Sequence, residues 1–217
     1  MPKETFYNLP DDKRENIEKT AISEFARYGF DKASITRIVY NCSIAKGSFY
    51  QYFTDKKDLF LYLITRVGEE KVKALSPVME RSQEYDFFEL IRALFLEGLK
   101  FAAGNPEITL MGDWLFKNKN HPIYNEMVGE GLENARNIYS ELIKAAIEKG
   151  EVRADIDIAF ISHTITALSI SSVEYYMQMQ EDKKARIRKF DVRMIDTIDL
   201  LIDFLRRGIE TNGKEGS

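Results

Sequence analysis

Residues 43–60 read SIAKGSFYQYFTDKKDLF. Four rings, Phe49, Tyr50, Tyr52 and Phe53, lie between Lys46 on one side and Lys56 and Lys57 on the other, close to a lone Gly47. The chemistry this mixture suits is the binding of phosphate. Lys46 falls in the first turn of one short helix, and Lys56 and Lys57 in the first turn of the next. The helix macrodipole already places partial positive charge at those ends, so the lysines are locally unfavourable there. A phosphate resolves the conflict, because it accepts hydrogen bonds from the free backbone N–H groups and from the ammonium groups together. Gly47 removes a side chain where a backbone must approach a ligand closely. Phe49 and Phe53, four residues apart, share a face and read as core. Tyr50 and Tyr52 lie off it, each with a hydroxyl to offer. The competing reading is a small helical core with a solvated lysine face.

The elements that would hold these groups are helices. From Asp11 to Tyr28, apolar Ile17, Ala21, Ile22 and Phe25 recur at helical spacing, and Gly29 supplies a C-terminal stop. Ser34 can cap a short helix through about Cys42, residues 43–45 form a turn, and Lys46–Phe53 makes a third helix. Two short helices joined by a tight turn are a helix-turn-helix, whose later helix enters the DNA major groove. In that placement Lys46 and Ser48 are the long and short groups able to reach base edges. Asp55 caps a fourth helix, with Asp58 placed as in a capping box. That helix is expected to end at Ser76, because Pro77 lacks an N–H and clashes with the preceding turn. Asp86 and Glu89 repeat the cap pattern ahead of a helix stopping at Gly104, and Asn105 and Pro106 open another. Further helices are expected over 106–117, 121–149, 157–180 and 191–210, with Gly150 as a stop and a polar tail after them. The stretch 161–173 is rich in β-branched residues, but Ile158, Ile161, Ile165 and Leu168 keep helical spacing, so it reads as helix.

Composition narrows the function. The chain has 217 residues, 44% hydrophobic and 30% charged, with a formal net charge of −4. Residues 1–57 hold ten Lys or Arg against eight Asp or Glu, and the remainder 21 against 27. Within 32–57 the basic residues are Lys32, Arg37, Lys46, Lys56 and Lys57, against Asp55 alone. Cys42 is the single cysteine, which excludes an intrachain disulfide and points to a reducing compartment, the cytoplasm. No apolar run has the length of a membrane span. With two histidines (His121 and His163) and no CxxC, HExxH, GxSxG or phosphate loop, the sequence offers no catalytic residues, metal ligands or cofactor site.

Residues 29–60, GFDKASITRIVYNCSIAKGSFYQYFTDKKDLF, resemble without a gap the DNA-binding signature of the TetR (tetracycline-repressor-like) regulators. The matching positions are Gly29, Phe30, Ser34, Ile35, Ile38, Ile44, Lys46, Gly47, Phe49, Tyr50, Tyr52, Phe53, Lys56 and Leu59. The resemblance implies an all-α protein of about nine helices. A helix-turn-helix DNA-binding domain would occupy 9–54, and a larger ligand-binding and dimerisation domain 55–212. It implies DNA contacts from Thr36, Lys46, Gly47, Ser48, Tyr50, Tyr52 and Lys56. Three departures stand out: Ser43 replaces the usual turn glycine and so takes a left-handed conformation, Ala45 replaces a capping serine, and Val39 and Cys42 replace alanines.

Beyond residue 60 the resemblance is looser. Large, soft residues populate the middle helices, and in the family such helices enclose an effector pocket. Phe101, Met111, Trp114, Tyr139, His163 and Tyr175 are its candidate lining here, for a small apolar or aromatic effector. Each also fits an ordinary core position. Asp113 would favour a cationic effector if it lined such a pocket. In the last helix Ile195, Ile198, Ile202, Leu205 and Ile209 step by three and four, an a/d seam that packs on another helix. Periodicity leaves open whether that helix belongs to the same chain. A helix-turn-helix that reads two half-sites favours a homodimer seam, and Ser169, Ser171 and Ser172 would permit close approach. Two functions follow: a regulator released from a palindromic DNA operator by an effector, and a ligand-independent architectural DNA-binding protein.

Overall fold

A computed structural model of the chain describes residues 1–178 and 192–211. The expected helix ends at 179–180 and 191, the Ser172 side chain and the polar tail 212–217 lie outside the described residues. Those described residues form ten α-helices and one 3-10 turn, with no β-strand. In chain order the helices are α1 (Glu4–Tyr7), α2 (Asp11–Lys32), α3 (Ile35–Asn41), α4 (Lys46–Tyr52) and α5 (Lys56–Glu80). After the 3-10 turn Ser82–Glu84 come α6 (Phe87–Gly104), α7 (Pro106–Lys117), α8 (Pro122–Glu148), α9 (Ile158–Gln178) and α10 (Val192–Ile209). The expected all-α class and the helix-turn-helix are both present.

The chain divides into two compact units, Met1–Glu70 with Asn105–Met127, and Lys71–Gly104 with Val128–Ser217. The first is built on an aromatic core. Phe25, Phe49, Phe53 and Phe60 have no exposed surface, and α2 is broken where that core closes. At Gly29 the backbone turns to φ 68, ψ 172, a region open in practice to glycine alone. The face this opens receives Trp114 of α7: a Cβ built on Gly29 would lie 2.5 Å from the indole Cδ1 and Nε1. Trp114 also packs on Phe30, Phe60 and His121, with ring centroids 5.4–6.0 Å apart. The imidazole Nε2 of His121 in turn lies 3.3 Å from Asp31. Met111 and Trp114, read as pocket residues, thus belong to the core of the unit that carries the helix-turn-helix.

Buried Glu24 ties α2 to α3. Its carboxylate accepts from the Ser34 N–H at 2.8 Å and from Arg37 Nε and Nη2 at 2.8 and 2.5 Å. The bond to Glu24 raises the Arg37 pKa above its ordinary value, and the guanidinium also stacks 4.2 Å from the Tyr28 ring centroid. Ser34 caps α3 through the Arg37 N–H, as expected. Ser43 takes φ 55 in the α3–α4 turn, the left-handed conformation anticipated for it. An element absent from the sequence reading is α1. Its Phe6 is fully buried against Tyr52, Phe53 and Tyr62. The Lys3 N–H donates to the Tyr52 carbonyl and the Lys3 ammonium to the Tyr50 carbonyl, both at 2.8 Å. Together they cap the C-terminal end of α4.

The second unit buries Phe88, Ile91, Ile143, Val152, Ile165, Ile198, Ile202, Leu205 and Ile209 together. Asp86 and Glu89 form a reciprocal capping box, at 3.0 and 2.8 Å. Gly150, at φ 76, closes α8 with bonds from Gly150 N–H to Ile147 and from Glu151 N–H to Ala146, a Schellman pair. Two local outcomes follow from hydroxyls. α5 does not end at Ser76 but runs through Pro77 to Glu80. The Lys73 carbonyl, which loses its partner to the proline, accepts from Ser76 Oγ at 2.9 Å instead. In α9 the β-branched stretch stays helical while Ser162, Thr164 and Thr166 return their hydroxyls to the carbonyls four residues back, at 2.6–2.8 Å.

Lys56 resolves its own unfavourable position without an outside ligand. Its ammonium donates to the Asp31 and Ala33 carbonyls at the C-terminal end of α2, each at 3.1 Å, and lies 4.6 Å from the Phe30 ring centroid. The negative end of one dipole thus compensates the positive end of another. Two measurements check this packing. Gly29→Ala should lower stability by about 2–3 kcal/mol in chemical denaturation, from backbone strain and overlap with Trp114. Lys56→Met should lower it by about 1 kcal/mol, whereas Lys46→Met leaves it unchanged.

Candidate nucleic-acid interface

α4 is seven residues long and divides cleanly between inward and outward positions. Phe49, Tyr52 and Phe53 are 0%, 7% and 0% exposed. Lys46, Gly47, Tyr50 and Gln51 are exposed, and Ser48 is half-buried. Phe49 and Tyr52, three apart, share the inward side at about 100° per residue, so Tyr52, expected off the core face, is buried, while Phe53 follows the helix in extended backbone.

The residues expected to touch DNA fall into three groups. Thr36, at the start of α3, and Lys46, Gly47 and Tyr50 on α4 are exposed, and Ser48 is half-buried. Nothing lies within 4 Å of a Cβ placed on Gly47, so its bareness serves the space outside the protein rather than a neighbour within it. Tyr50 rests edge-on against Phe49, with centroids 5.2 Å apart, which braces its ring at the surface. Tyr52 is held inward by Phe6, at 6.0 Å. Lys56 has its ammonium on the α2 carbonyls. Gln51 was missed by the sequence reading, although its position between two tyrosines on one turn is the signal that could have found it.

Charge follows the same division. Of the five cations within 32–57, Arg37 is paired with Glu24, Lys57 with Glu126 at 2.6 Å, and Lys56 with main-chain carbonyls. Lys32 and Lys46 keep ammonium groups with no partner among the described residues. The local excess of positive charge is therefore partly structural, and the free part includes the first residue of α4.

The other expected sites spread over both units. Met111 is buried and Trp114 half-buried in the first unit. In the second, Phe101 and Tyr139 are half-buried, while His163 and Tyr175 are exposed. Burial pushes the Tyr139 phenol up to about 12, and its hydroxyl has no partner among the described residues. Asp113 is paired with Lys117 at 2.5 Å, which removes the free carboxylate a cationic effector would need. Ile198, Ile202, Leu205 and Ile209 are 3–7% exposed inside the second unit's own core, and Ile195 is half-buried. The stripe read as a dimer seam is therefore filled from within the chain. Among the described side chains of α10, Leu200 and Phe204 are the large apolar residues left exposed, at 72% and 64%.

Comparison with known proteins agrees with this geometry. Residues 17–63, from the middle of α2 into α5, match the profile described as "Bacterial regulatory proteins, tetR family". The uncharacterized HTH-type transcriptional regulator YvdT of Bacillus subtilis is 23% identical over 220 residues, covering 97% of this chain and 100% of the relative. A crystal structure of a TetR family transcriptional regulator from Chloroflexus aurantiacus superposes with a TM-score of 0.72 at 25% identity, covering 98% of this chain and 100% of that one. FadR from Bacillus subtilis, solved in complex with stearoyl-CoA, shares the fold with a TM-score of 0.71 at 18% identity, over 90% and 99% of the two chains. The helix-turn-helix thus lies within a segment that matches the DNA-binding domain of TetR family regulators, and over almost its whole length the chain is similar to HTH-type transcriptional regulators of that family.

Proposed function

We propose that the chain is a homodimeric repressor, released from a palindromic operator by a small apolar effector. The observation that carries the reading is the outward face of α4, where Lys46, Gly47, Ser48 and Tyr50 are accessible beside a closed core. With Thr36 they would supply the operator contacts, Lys46 and Tyr50 toward phosphate and Ser48 toward base edges. In this reading residues 9–54 bind the operator in the cytoplasm, and residues 55–212 bind the effector and the second subunit.

The open side of α10 supports pairing of two copies. Leu200 and Phe204 lie one turn apart, and ion pairs flank them: Asp199 with Arg92 at 2.6 Å and Asp203 with Arg207 at 2.9 Å. An apolar centre with a charged rim is the usual anatomy of a protein interface. An effector that favours one arrangement of the dimer would shift the two recognition helices out of register with successive major grooves, about 34–36 Å apart. FadR, which shares this fold, is known with a long acyl-CoA bound. The half-buried hydroxyl of Tyr139, without a partner among the described residues, supports an effector that is largely apolar but carries one hydrogen-bonding group.

Selection of bound fragments from random duplex DNA, at near-physiological salt, tests the operator reading. An enriched inverted repeat is the expected result. Retention with no motif and a steep salt dependence would favour the architectural alternative. Once an effector is found by its ability to release that DNA, Tyr139→Phe should raise the effector concentration needed by about 5- to 10-fold, with operator affinity unchanged.

A further inference from the structure

We infer that Gln51 reads a base edge in the major groove, and that the base it matches is adenine. The inference rests on α4 being the recognition helix and goes beyond it by assigning a residue and a base.

The placement comes from the helix itself. Phe49 and Tyr52 define the buried side of α4. At about 100° per residue, the position opposite them is Gly47, with Tyr50 and Gln51 about 50° to either side of that direction. Gly47 carries no side chain and faces open space. Of these two long side chains Tyr50 lies against Phe49, which leaves Gln51 as the one that projects free of the core, with a gap beside it into which another molecule's surface can come close. Its backbone is already fixed, since the Gln51 carbonyl accepts from the Thr5 hydroxyl of α1. Its carboxamide is exposed and has no hydrogen-bond partner among the described residues. The helix is thus held firmly behind a side chain that is left free in front.

The chemistry selects the base. A carboxamide presents one acceptor and one donor group side by side. In the major groove adenine offers the complement, an N6 amino donor beside the N7 acceptor. Guanine offers two acceptors there, and thymine an acceptor with a methyl group. Only adenine takes both halves of the amide at once. The neighbours on this face cannot substitute for it. Lys46 is a donor alone, and Tyr50, braced on Phe49, has a single hydroxyl.

The test is competition binding to single-base variants of the selected operator, for wild type, Gln51→Ala and Gln51→Arg. An unchanged thermal midpoint for both variants establishes that the fold is intact. The expected result is one position in each half-site where replacing adenine weakens the wild type by about 5- to 150-fold. Gln51→Ala should level that position to within about 2-fold and leave the other positions as they were. Gln51→Arg should move its preference to guanine, whose two acceptors suit a guanidinium. A Gln51→Ala profile identical to wild type at every position would overturn the inference. So would a loss equal on all sequences, which marks a phosphate contact. Failure of the wild type to select any motif would instead overturn the reading of α4 as a recognition helix, and this inference with it.

Discussion

The first unit depends on how the chain ends its long second helix. At Gly29 the backbone enters a conformation closed to other residues, and the space so created is filled by the Trp114 indole. The last carbonyls of the same helix take the Lys56 ammonium, which fixes the start of α5. A little earlier, Glu24 holds the Ser34 N–H and the Arg37 guanidinium, which fixes the start of α3. Three elements, two of them distant in sequence, are therefore fastened within about three turns at the end of one helix. Each fastening is of a different kind: shape, charge against a helix end, and a buried carboxylate paired and hydrogen-bonded to an exposed guanidinium. The helix-turn-helix is not a free-standing motif here but the outer side of this junction.

Much of that was legible in the sequence because it follows from local rules. Ser34 as a cap, the Asp86–Glu89 box, the stop at Gly150 and the strained Ser43 are decided by residues within a few positions of one another. What could not be read depends on residues far apart in the chain. Lys56 and Lys57 look unfavourable beside their own helix, and only the folded chain brings the α2 carbonyls and Glu126 to them. Trp114 and Met111 have the softness of pocket residues, yet α7 packs against α2 and carries them into an aromatic core. The isoleucines of α10 have the period of a seam, and period says nothing about whether the partner is intramolecular. Pro77 is a different case. Its rule was applied correctly, but the neighbouring Ser76 hydroxyl repaired the carbonyl that the rule leaves vacant.

The candidate interface shows the same limit on a smaller scale. Period alone puts Phe49 and Phe53 inside, and both are fully buried. It does not decide between Tyr50 and Tyr52. That choice is made by α1, whose Phe6 occupies the side of α4 on which Tyr52 lies and whose Lys3 and Thr5 hold the helix end by its carbonyls. A segment before the recognisable motif thus determines which face of α4 is offered.

The division of α4 into a fixed back and an unengaged front has a consequence for how such proteins diverge. Its outward residues carry almost none of the fold's cohesion, so exchanging them changes what the helix meets without endangering the chain that presents it. A duplicated copy of the gene could acquire a different DNA target through two or three codons, with no compensating change elsewhere. The same property would let one scaffold be retargeted by design, provided that the residues behind the helix, Phe6 among them, are left alone.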